Sequence, residues 1–177
     1  MSADLDLRAV QAPLKARYRE EPASALLTLS ADGDLDGAGV TCSVRTGQAV
    51  VEAGLHPYTG GDGLSACSGD LLLQALVACA GVTLRAVARS LEVSIDGGRV
   101  VAEGDLDFRG TLGVDRDAPV GFRAIRVVFE LDTPADEPTL QKLCELTERY
   151  CVVHQSLSGV PERSMRIDRR REHPTTG

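Results

Sequence analysis

The stretch GDLLLQALVACAGVTL, residues 69–84, decides how this chain folds. Between Leu71 and Val82 every position is apolar or small except Gln74, and the run contains no proline and no charge. A run of this length and composition predicts a helix that is buried on nearly all sides. Cys79 lies well inside it. Because a free cysteine packs like a small hydrophobic residue, Cys79 by itself indicates only core packing.

The composition is that of a soluble globular domain. With 177 residues, of which 43% are hydrophobic and 25% charged, the chain is long enough for one domain with a substantial core. The formal net charge of −7 argues against binding to nucleic acid, which requires a basic surface. The absence of tryptophan and an aromatic content of 3% also argue against a surface on which bases stack.

The N-terminal segment predicts a cytoplasmic protein. MSADLDLRAVQ lacks the basic start and the apolar stretch of a signal peptide. The apolar run at 71–84 is too short and too interrupted to span a bilayer. We therefore expect no contact with a membrane.

The cysteines do not form a recognisable framework. There are five of them and no CxxC motif, so neither a set of structural disulfides nor a structural zinc site is expected in a reducing compartment. They are Cys42, Cys67, Cys79, Cys144 and Cys151. No cofactor and no metal is predicted.

Periodicity and turn residues predict the remaining elements. In chain order these are a short helix from Leu14 to Arg19 with Pro13 in its first turn, strands at 24–30 and 40–45, a hairpin over 40–53, the buried helix to about Ser90, strands at 99–110 and 124–131, a helix from Asp136 to Tyr150, a short helix ending at Gly159 and a strand at 164–168. Hairpins joined to segregated helices indicate an α+β fold with antiparallel sheets.

A glycine-rich loop, HPYTGGDGLSACSG at 56–69, leads into the buried helix. Ser68 is a suitable N-cap residue, and Asp70 in the first turn is favoured by the helix dipole.

Cys151 is a second cysteine in an apolar helical setting. It follows Tyr150, where the predicted second long helix gives way to VVHQSL. A redox pair needs one thiol that attacks as a thiolate and another, close by, that resolves the resulting sulfenic acid. Cys79 and Cys151 are far apart in the sequence, so only the fold could bring them together. Core packing of both thiols remains the alternative.

Two short motifs resemble the OsmC/Ohr family of thiol-dependent hydroperoxide reductases. SGDLLLQALVAC, residues 68–79, is similar to the family segment P-x-E-L-L-L-A-A-L-x-A-C, which opens the central helix and supplies the peroxidatic cysteine. Cys151-Val152-Val153 resembles the C-P-V start of the second family signature. The glycine-rich segment TGGDG at 59–63, which precedes this helix, also resembles the family. The resemblance extends over residues 39–168.

The resemblance implies an architecture and a domain organisation. Antiparallel sheets would wrap around two central helices in an intertwined homodimer, with a Cys79–Cys151 site at each interface. Residues 39–168 would form the OsmC-like domain. Residues 1–38 would be an N-terminal extension made of a short helix and a strand, and residues 169–177 a charged tail.

The resemblance also implies an activity in defence against oxidative stress. The Cys79 thiolate would attack an organic hydroperoxide, with hydrogen peroxide as a further substrate, and Cys151 would close a disulfide. A dithiol reductant, of lipoyl type or a small thiol, would restore the pair. The main rival function is a non-catalytic protein on the same fold that binds a small hydrophobic ligand.

An arginine and an acidic residue complete the site in the family. Arg45-Thr46-Gly47-Gln48-Ala49-Val50 resembles the family's R-x-G-x-A-V turn, whose arginine stabilises the cysteine thiolate. The family glutamate that orients this arginine aligns with Gly69, and Asp70 follows it. Either Asp70 orients Arg45 or the function has been lost; an ordinary hairpin arginine and a helix-dipole aspartate are the plain alternatives.

Other residues support weaker hypotheses. His154, three positions after Cys151, could form a Cys–His pair for acyl transfer, or it could be an ordinary hydrogen-bonded histidine. Asp107 and Arg109 predict an ion pair at a strand edge, and Glu148 is expected to be solvated. Cys42 and Cys144 are expected to pack in the core. Cys67 is expected to expose its thiol.

Overall fold

The computed structural model describes residues 7–34, 43–44, 53–157 and 159–169. Its helices are α1 (Leu7–Glu20), α2 (Ser68–Ser90), α3 (Phe108–Thr111), α4 (Glu137–Tyr150) and α5 (Val152–Ser156). Its strands are β1 (Leu26–Asp34), β2 (Ser43–Val44), β3 (Ala53–Gly54), β4 (Ala66–Cys67), β5 (Gly97–Asp107), β6 (Ala124–Asp132) and β7 (Glu162–Arg169). Short 3-10 turns occupy Pro22–Ala25 and Pro57–Thr59.

The strands form one five-stranded sheet and one small pair. The order in the large sheet is β2-β1-β5-β6-β7, and β3 pairs with β4 separately. Neighbours in the large sheet are antiparallel except for β6 and β7, which are parallel. The α+β class is as predicted. The parallel pairing of β6 with β7 differs from the predicted antiparallel sheets. It arises because α4 and α5 lie between the two strands in the chain, and parallel neighbours require a long crossover connection of this kind.

Helix α2 lies at the centre of the fold and packs against β1, β5, α4 and α5. The face toward these elements is buried and includes Leu73, Leu76 and Leu84. The opposite face exposes Leu72 to 36% and Val82 to 41%. The prediction of burial on nearly all sides is therefore wrong for the single chain, because Leu72 and Val82 on this face are exposed.

The length of α2 also differs from the apolar run at 71–84. At 23 residues it is long and apolar enough, by length and composition alone, to cross a membrane. Its packing against the sheet and α4 gives it the surroundings of a core helix.

The N-terminal helix is longer than predicted. It begins at Leu7, so Pro13 lies in its interior rather than in its first turn. The side chain of Tyr18, 1% exposed, donates a hydrogen bond to the carbonyl of Tyr58 at 2.9 Å. Gln11 Nε2 donates another to the carbonyl of Thr59 at 2.8 Å. α1 is therefore tied to the loop that precedes α2.

The strand of the predicted N-terminal extension is part of the large sheet. β1 pairs with β5 along its whole length, from Leu26 opposite Asp107 to Asp34 opposite Arg99. It also continues through residues 31–34, beyond the end of the strand predicted at 24–30. Most of the predicted 40–53 hairpin lies outside the described residues; within it, β2 pairs with the end of β1.

The predicted alternation holds along β5 and β6. Val100, Ala102 and Leu106 are buried on one face of β5, and β6 buries Ile125, Val127, Phe129 and Leu131. β5 ends at Asp107, three residues before the end of the strand predicted at 99–110. Asp107 is the N-cap of α3, and its side chain accepts a hydrogen bond from the backbone N–H of Arg109 at 3.1 Å.

The predicted Asp107–Arg109 ion pair is present, but it joins a strand end to a helical turn rather than two points on a strand edge. Arg109 Nη2 lies 2.6 Å from Asp107 Oδ2, and its Nη1 lies 3.1 Å from Asp115 Oδ2. The pKa of Asp107 is lowered, chiefly by the Arg109 hydrogen bond. Because Asp107 is 1% exposed, Arg109 neutralises a buried carboxylate.

Helix α4 begins one residue later than predicted, with Asp136 as its N-cap. The Asp136 side chain accepts a hydrogen bond from the N–H of Thr139 at 3.1 Å. Leu140 and Leu143 are buried in the core. Tyr150, the last residue of the helix, is 57% exposed.

Candidate functional site

The structure brings Cys79 and Cys151 together. Cys79 lies in the middle of α2 and is half-buried, and Cys151 is fully buried between the end of α4 and the start of α5. α2 packs against both of these helices. The two side chains are close enough for Cys79 to influence the pKa of Cys151, and both thiols are free. The contact arises because α4 and α5 return the chain to the face of α2 that carries Cys79.

The surroundings of Cys151 keep its thiol protonated. Burial raises the pKa of Cys151 to about 11, and the hydrogen bond and charge of Cys79 add to the rise. The backbone N–H groups of His154 and Val153 act in the opposite direction. At neutral pH, Cys151 is therefore a protonated thiol.

His154 lies beside this pair in sequence but does not hydrogen-bond to it. Its side chain is fully buried, and neither ring nitrogen has a partner among the described residues. Burial is the main influence that lowers the pKa of His154, and the charge of Arg163 lowers it further. The charge of Glu148 acts in the opposite direction. A Cys–His pair for acyl transfer is not supported, because Cys151 and His154 are both sealed from solvent and make no hydrogen bond.

Asp70 lies in the first turn of α2, as predicted, and is half-buried. The predicted N-cap residue, Ser68, is instead the first helical residue, and Cys67 occupies the cap position without a side-chain hydrogen bond. Burial raises the pKa of Asp70, and the nearby His56 opposes the rise. Asp70 is nine residues before Cys79, roughly 13 Å along a helix axis. Within one chain it therefore does not contact the thiol directly.

His56 is a residue near Asp70 that the sequence analysis did not identify. Its Nδ1 accepts a hydrogen bond from the N–H of Tyr58 at 3.1 Å. Its ring stacks on Phe108, with the centroids 5.4 Å apart and the planes at 17°. Burial lowers the pKa of His56, and the charge of Asp70 opposes this. Only the position of His56 directly before Pro57 in the glycine-rich loop could have drawn attention to it.

Two predicted residues fall outside the described part of the chain. Arg45, expected to stabilise the Cys79 thiolate, lies between β2 and β3 in a range the structure does not describe, and Cys42 precedes β2 in another. Their predicted roles therefore stay predictions.

The other cysteines differ from each other in their surroundings. Cys144 is half-buried, its Sγ donates to the carbonyl of Met165 at 3.4 Å, and burial raises its pKa to about 11, with Glu148 and Glu145 contributing. Cys67 is half-buried and packs against the core, so it is not the exposed thiol that was predicted. Glu148, expected to be solvated, is half-buried as well. Among the residues that the structure describes, no group of three or more His, Cys, Asp or Glu side chains could hold a metal ion.

Comparisons with known proteins agree with this fold. The family model described as OsmC-like protein matches residues 60–163, a range that contains Cys79 and Cys151. An OsmC-like protein from Mycoplasma pneumoniae has a similar solved structure, with 16% identity and a TM-score of 0.56, over 84% of this chain and 96% of that one.

Two further solved structures are similar. One is an OsmC-like hydroperoxide resistance protein from Jannaschia sp. CCS1, with 16% identity and a TM-score of 0.55, over 75% of this chain and 87% of that one. The other is an organic hydroperoxide resistance protein OsmC, predicted redox protein, from Legionella pneumophila, with 15% identity and a TM-score of 0.54, over 82% of this chain and 97% of that one. No curated protein matches the chain.

Proposed function

This chain belongs to the OsmC-like protein family, and from that premise we propose that it is a thiol-dependent peroxidase that reduces organic hydroperoxides. The observation that supports the proposal is the proximity of the Cys79 and Cys151 side chains, which is close enough for Cys79 to raise the pKa of Cys151. Two proteins of similar fold are described as hydroperoxide resistance proteins, which supports a role connected with peroxides.

In the first step, the Cys79 thiolate attacks the distal oxygen of the hydroperoxide. The O–O bond breaks, the alcohol leaves with a proton, and Cys79 becomes a sulfenic acid. Cys79 suits this role better than Cys151 because its side chain is only half-buried, whereas Cys151 is fully enclosed. A substrate can therefore approach the sulfur of Cys79.

In the second step, Cys151 resolves the sulfenic acid. The Cys151 sulfur attacks the Cys79 sulfur, a disulfide forms, and the hydroxyl group leaves as water. The proximity of the two side chains supports this role, because Cys151 starts beside the residue that it attacks. A dithiol of lipoyl type, or a small thiol, then reduces the disulfide.

The surroundings of the thiols favour an alkyl or aryl hydroperoxide over hydrogen peroxide. The exposed apolar side chains of Tyr150 and Val152 flank Cys151 in the sequence. An apolar substituent gains free energy, on the order of 25 cal/mol per Å² of its surface, by leaving water for such surroundings. Hydrogen peroxide carries no such substituent.

We further propose a homodimer in the cytoplasm. The exposed face of α2, which carries Leu72 and Val82, would pack against a second copy of the chain. Such an arrangement would remove a contiguous apolar surface from water, which a monomer would leave exposed. Sedimentation at micromolar concentration tests this: a dimer is expected, and a stable monomer would contradict it.

A peroxide-consumption assay tests the activity. The reduced protein is mixed with cumene hydroperoxide and dihydrolipoamide, and the loss of hydroperoxide is followed. Cys79→Ser is expected to lower turnover at least ~100-fold, since it removes the nucleophile. Cys144→Ser, which changes a half-buried thiol bonded to Met165, is the matched control and should stay near the wild-type rate. Wild-type protein that does not consume hydroperoxide would favour the ligand-binding function.

A further inference from the structure

The short helix α5 is held in the core by an ionisable side chain. His154 is the one residue of α5 that is buried, at 0% exposure. The other four residues, which include Val152 at 71% exposure, are exposed or only partly buried. An apolar side chain in this place would stay in the core at every pH. The attachment of α5 depends instead on an imidazole, whose charge changes near neutral pH.

The buried ring nitrogens of His154 make no hydrogen bond that could hold a second proton. Neither Nδ1 nor Nε2 has a partner among the residues that the structure describes. A neutral imidazole leaves one N–H donor unpaired there, and an imidazolium would leave two, together with a full charge. Burying an unpaired charge costs far more free energy than burying an unpaired polar group. Protonated His154 is therefore unstable in the place that it occupies in this fold.

The elements packed against α5 do not offset this cost. Glu148 on α4 favours the protonated imidazole, and Arg163 on β7 disfavours it. Arg163 also donates a hydrogen bond to the backbone carbonyl of His154 at 2.6 Å. From α2, the titratable residue near the start of α5 is Cys79, a thiol. Burial outweighs these influences, and the pKa of His154 is lowered.

Few other contacts hold α5 against the rest of the chain. The Gln155 N–H donates to the carbonyl of Cys151 at 2.9 Å, and the Leu157 N–H donates to that of His154 at 3.2 Å. Gln155 Nε2 donates to the carbonyl of Glu148 at 2.8 Å. Elements with few buried side chains open locally at a lower cost in free energy than global unfolding requires. α5 can therefore detach while the large sheet stays folded.

We propose that His154 is a pH-sensitive anchor whose protonation releases α5 from the core. The imidazole is neutral and buried in the closed form, and protonated and solvated in the open form. Opening takes up one proton, so the closed form keeps its full stability above about pH 6.5, the ordinary pKa of histidine, and loses it as the pH falls. The ratio of open to closed form should rise by up to about tenfold per pH unit below that value.

Release of α5 would also separate the two thiols of the candidate site. Cys151 is the N-cap of α5 and lies near Cys79 in the closed form. An open α5 would move Cys151 away from Cys79. The bearing of this movement on turnover rests on the proposed peroxidase function, whereas the opening itself does not.

Native-state hydrogen–deuterium exchange, resolved by NMR at single amides of the reduced protein, tests the proposal. The Gln155 amide reports on α5, and the amides of β6, which has a neighbouring strand on each side, report on global unfolding. Measured rates are divided by the intrinsic rates at each pH to give protection factors. From pH 7 to pH 5, the Gln155 protection factor should fall at least ~10-fold.

Low concentrations of urea distinguish local opening from global unfolding. Urea favours a transition in proportion to the surface that the transition exposes. The Gln155 protection factor should therefore depend less on urea than those of the β6 amides. An equal dependence would show that α5 opens only when the whole fold unfolds, and would overturn the proposal.

A leucine in place of the imidazole should abolish the pH dependence. In His154→Leu, the Gln155 protection factor should stay within ~2-fold from pH 7 to pH 5, because the apolar anchor takes up no proton. His56→Gln, which removes the other histidine of the described residues, is the matched control and should keep the wild-type pH dependence. The wild-type dependence in His154→Leu would overturn the proposal. If that variant does not fold, His154→Met takes its place, and a constant wild-type protection factor overturns the proposal by itself.

The exchange experiment contains no peroxide, so its result is independent of the peroxidase assay. Failure to consume hydroperoxide would overturn the proposed function alone. A Gln155 protection factor that falls in acid in the wild type, and stays constant in His154→Leu, supports the anchor in either case. A Gln155 protection factor that stays constant in the wild type rejects the anchor even if the chain reduces hydroperoxides.

Discussion

The hydroxyl of Tyr18 donates a hydrogen bond to the backbone carbonyl of Tyr58 at 2.9 Å, which fastens the N-terminal helix to the loop before α2. The neighbouring His56 stacks on Phe108 and lies close to Asp70 at the start of α2. The N-terminal helix therefore supports the loop that carries this part of the candidate site.

The first prediction concerns this hydrogen bond. Tyr18→Phe keeps the buried ring and leaves the Tyr58 carbonyl without its donor, so the free energy of unfolding should fall by ~1 kcal/mol. Tyr18→Ala also opens a cavity and should cost ~3–5 kcal/mol. Urea denaturation measures both, with the exposed Arg19→Ala as control. Equal stability of Tyr18→Phe, Tyr18→Ala and wild type would show that α1 does not support the fold.

A second prediction concerns the buried carboxylate of Asp107. Arg109→Ala removes its partner and should lower the free energy of unfolding by more than Asp115→Asn does, because an uncompensated charge stays buried at Asp107. Asp115→Asn, at the more exposed end of the network, should cost less than ~1 kcal/mol. The double variant Asp107→Asn/Arg109→Met should recover much of the loss. Thermal and urea unfolding of the three variants measure the changes in the free energy of unfolding. Similar decreases for Arg109→Ala and Asp115→Asn would contradict the role of Arg109 as the partner of a buried carboxylate.

The third prediction is a pH dependence of stability on the outer face of the sheet. Hydrogen bonds from Arg126 hold the pKa of Asp105 at about 2, below its unfolded value near 3.8. The pair therefore stabilises the fold above about pH 4 and loses its contribution as the pH falls toward 2. Both side chains are 37% exposed, so solvent limits the effect to less than ~1 kcal/mol. The stability difference between wild type and Arg126→Met should be constant from pH 5 to 8 and shrink in acid; a constant difference down to pH 2 would contradict it.

Much of the fold could be predicted because its signals are local. The apolar run in α2 and the period-2 alternation in β5 and β6 specify their elements without tertiary contacts. The first half of α1 carries no comparable signal, and its helix depends on the contacts of Gln11 and Tyr18 with the loop at 58–59. Sequence also cannot distinguish an apolar helix face that packs against the sheet from one that stays exposed, which is why the exposure of Leu72 and Val82 was missed.

Only part of the candidate site could be predicted from the sequence, because the rest depends on tertiary contacts. Cys79 and Cys151 could be paired because two motifs pointed to them. The proximity of His56 to Asp70 depends on how the glycine-rich loop returns to the start of α2. The isolation of the His154 ring depends on its burial by several elements at once. Neither relationship can be predicted from the spacing of residues in the sequence.

The fourth prediction concerns Arg45, whose proposed role is to stabilise the Cys79 thiolate. Arg45→Lys keeps the charge and loses the forked hydrogen bonds, so peroxidase turnover should fall by ~10-fold or more. Arg45→Ala should also slow alkylation of Cys79 by iodoacetamide at pH 7, and Asp70→Ala should lower turnover. The exposed Arg99→Ala on β5 is the matched control. Wild-type alkylation and turnover in Arg45→Ala would remove this arginine from the site.

The central claim is that Cys79 and Cys151 form the redox pair. Reduced protein is treated anaerobically with one equivalent of cumene hydroperoxide, digested without reductant and analysed by mass spectrometry. The account predicts one dominant disulfide, between Cys79 and Cys151, and a Cys79 sulfenic acid that dimedone traps when Cys151 is replaced by serine. Recovery of Cys79 as a free thiol, or a dominant disulfide that involves Cys67 or Cys144, would contradict it.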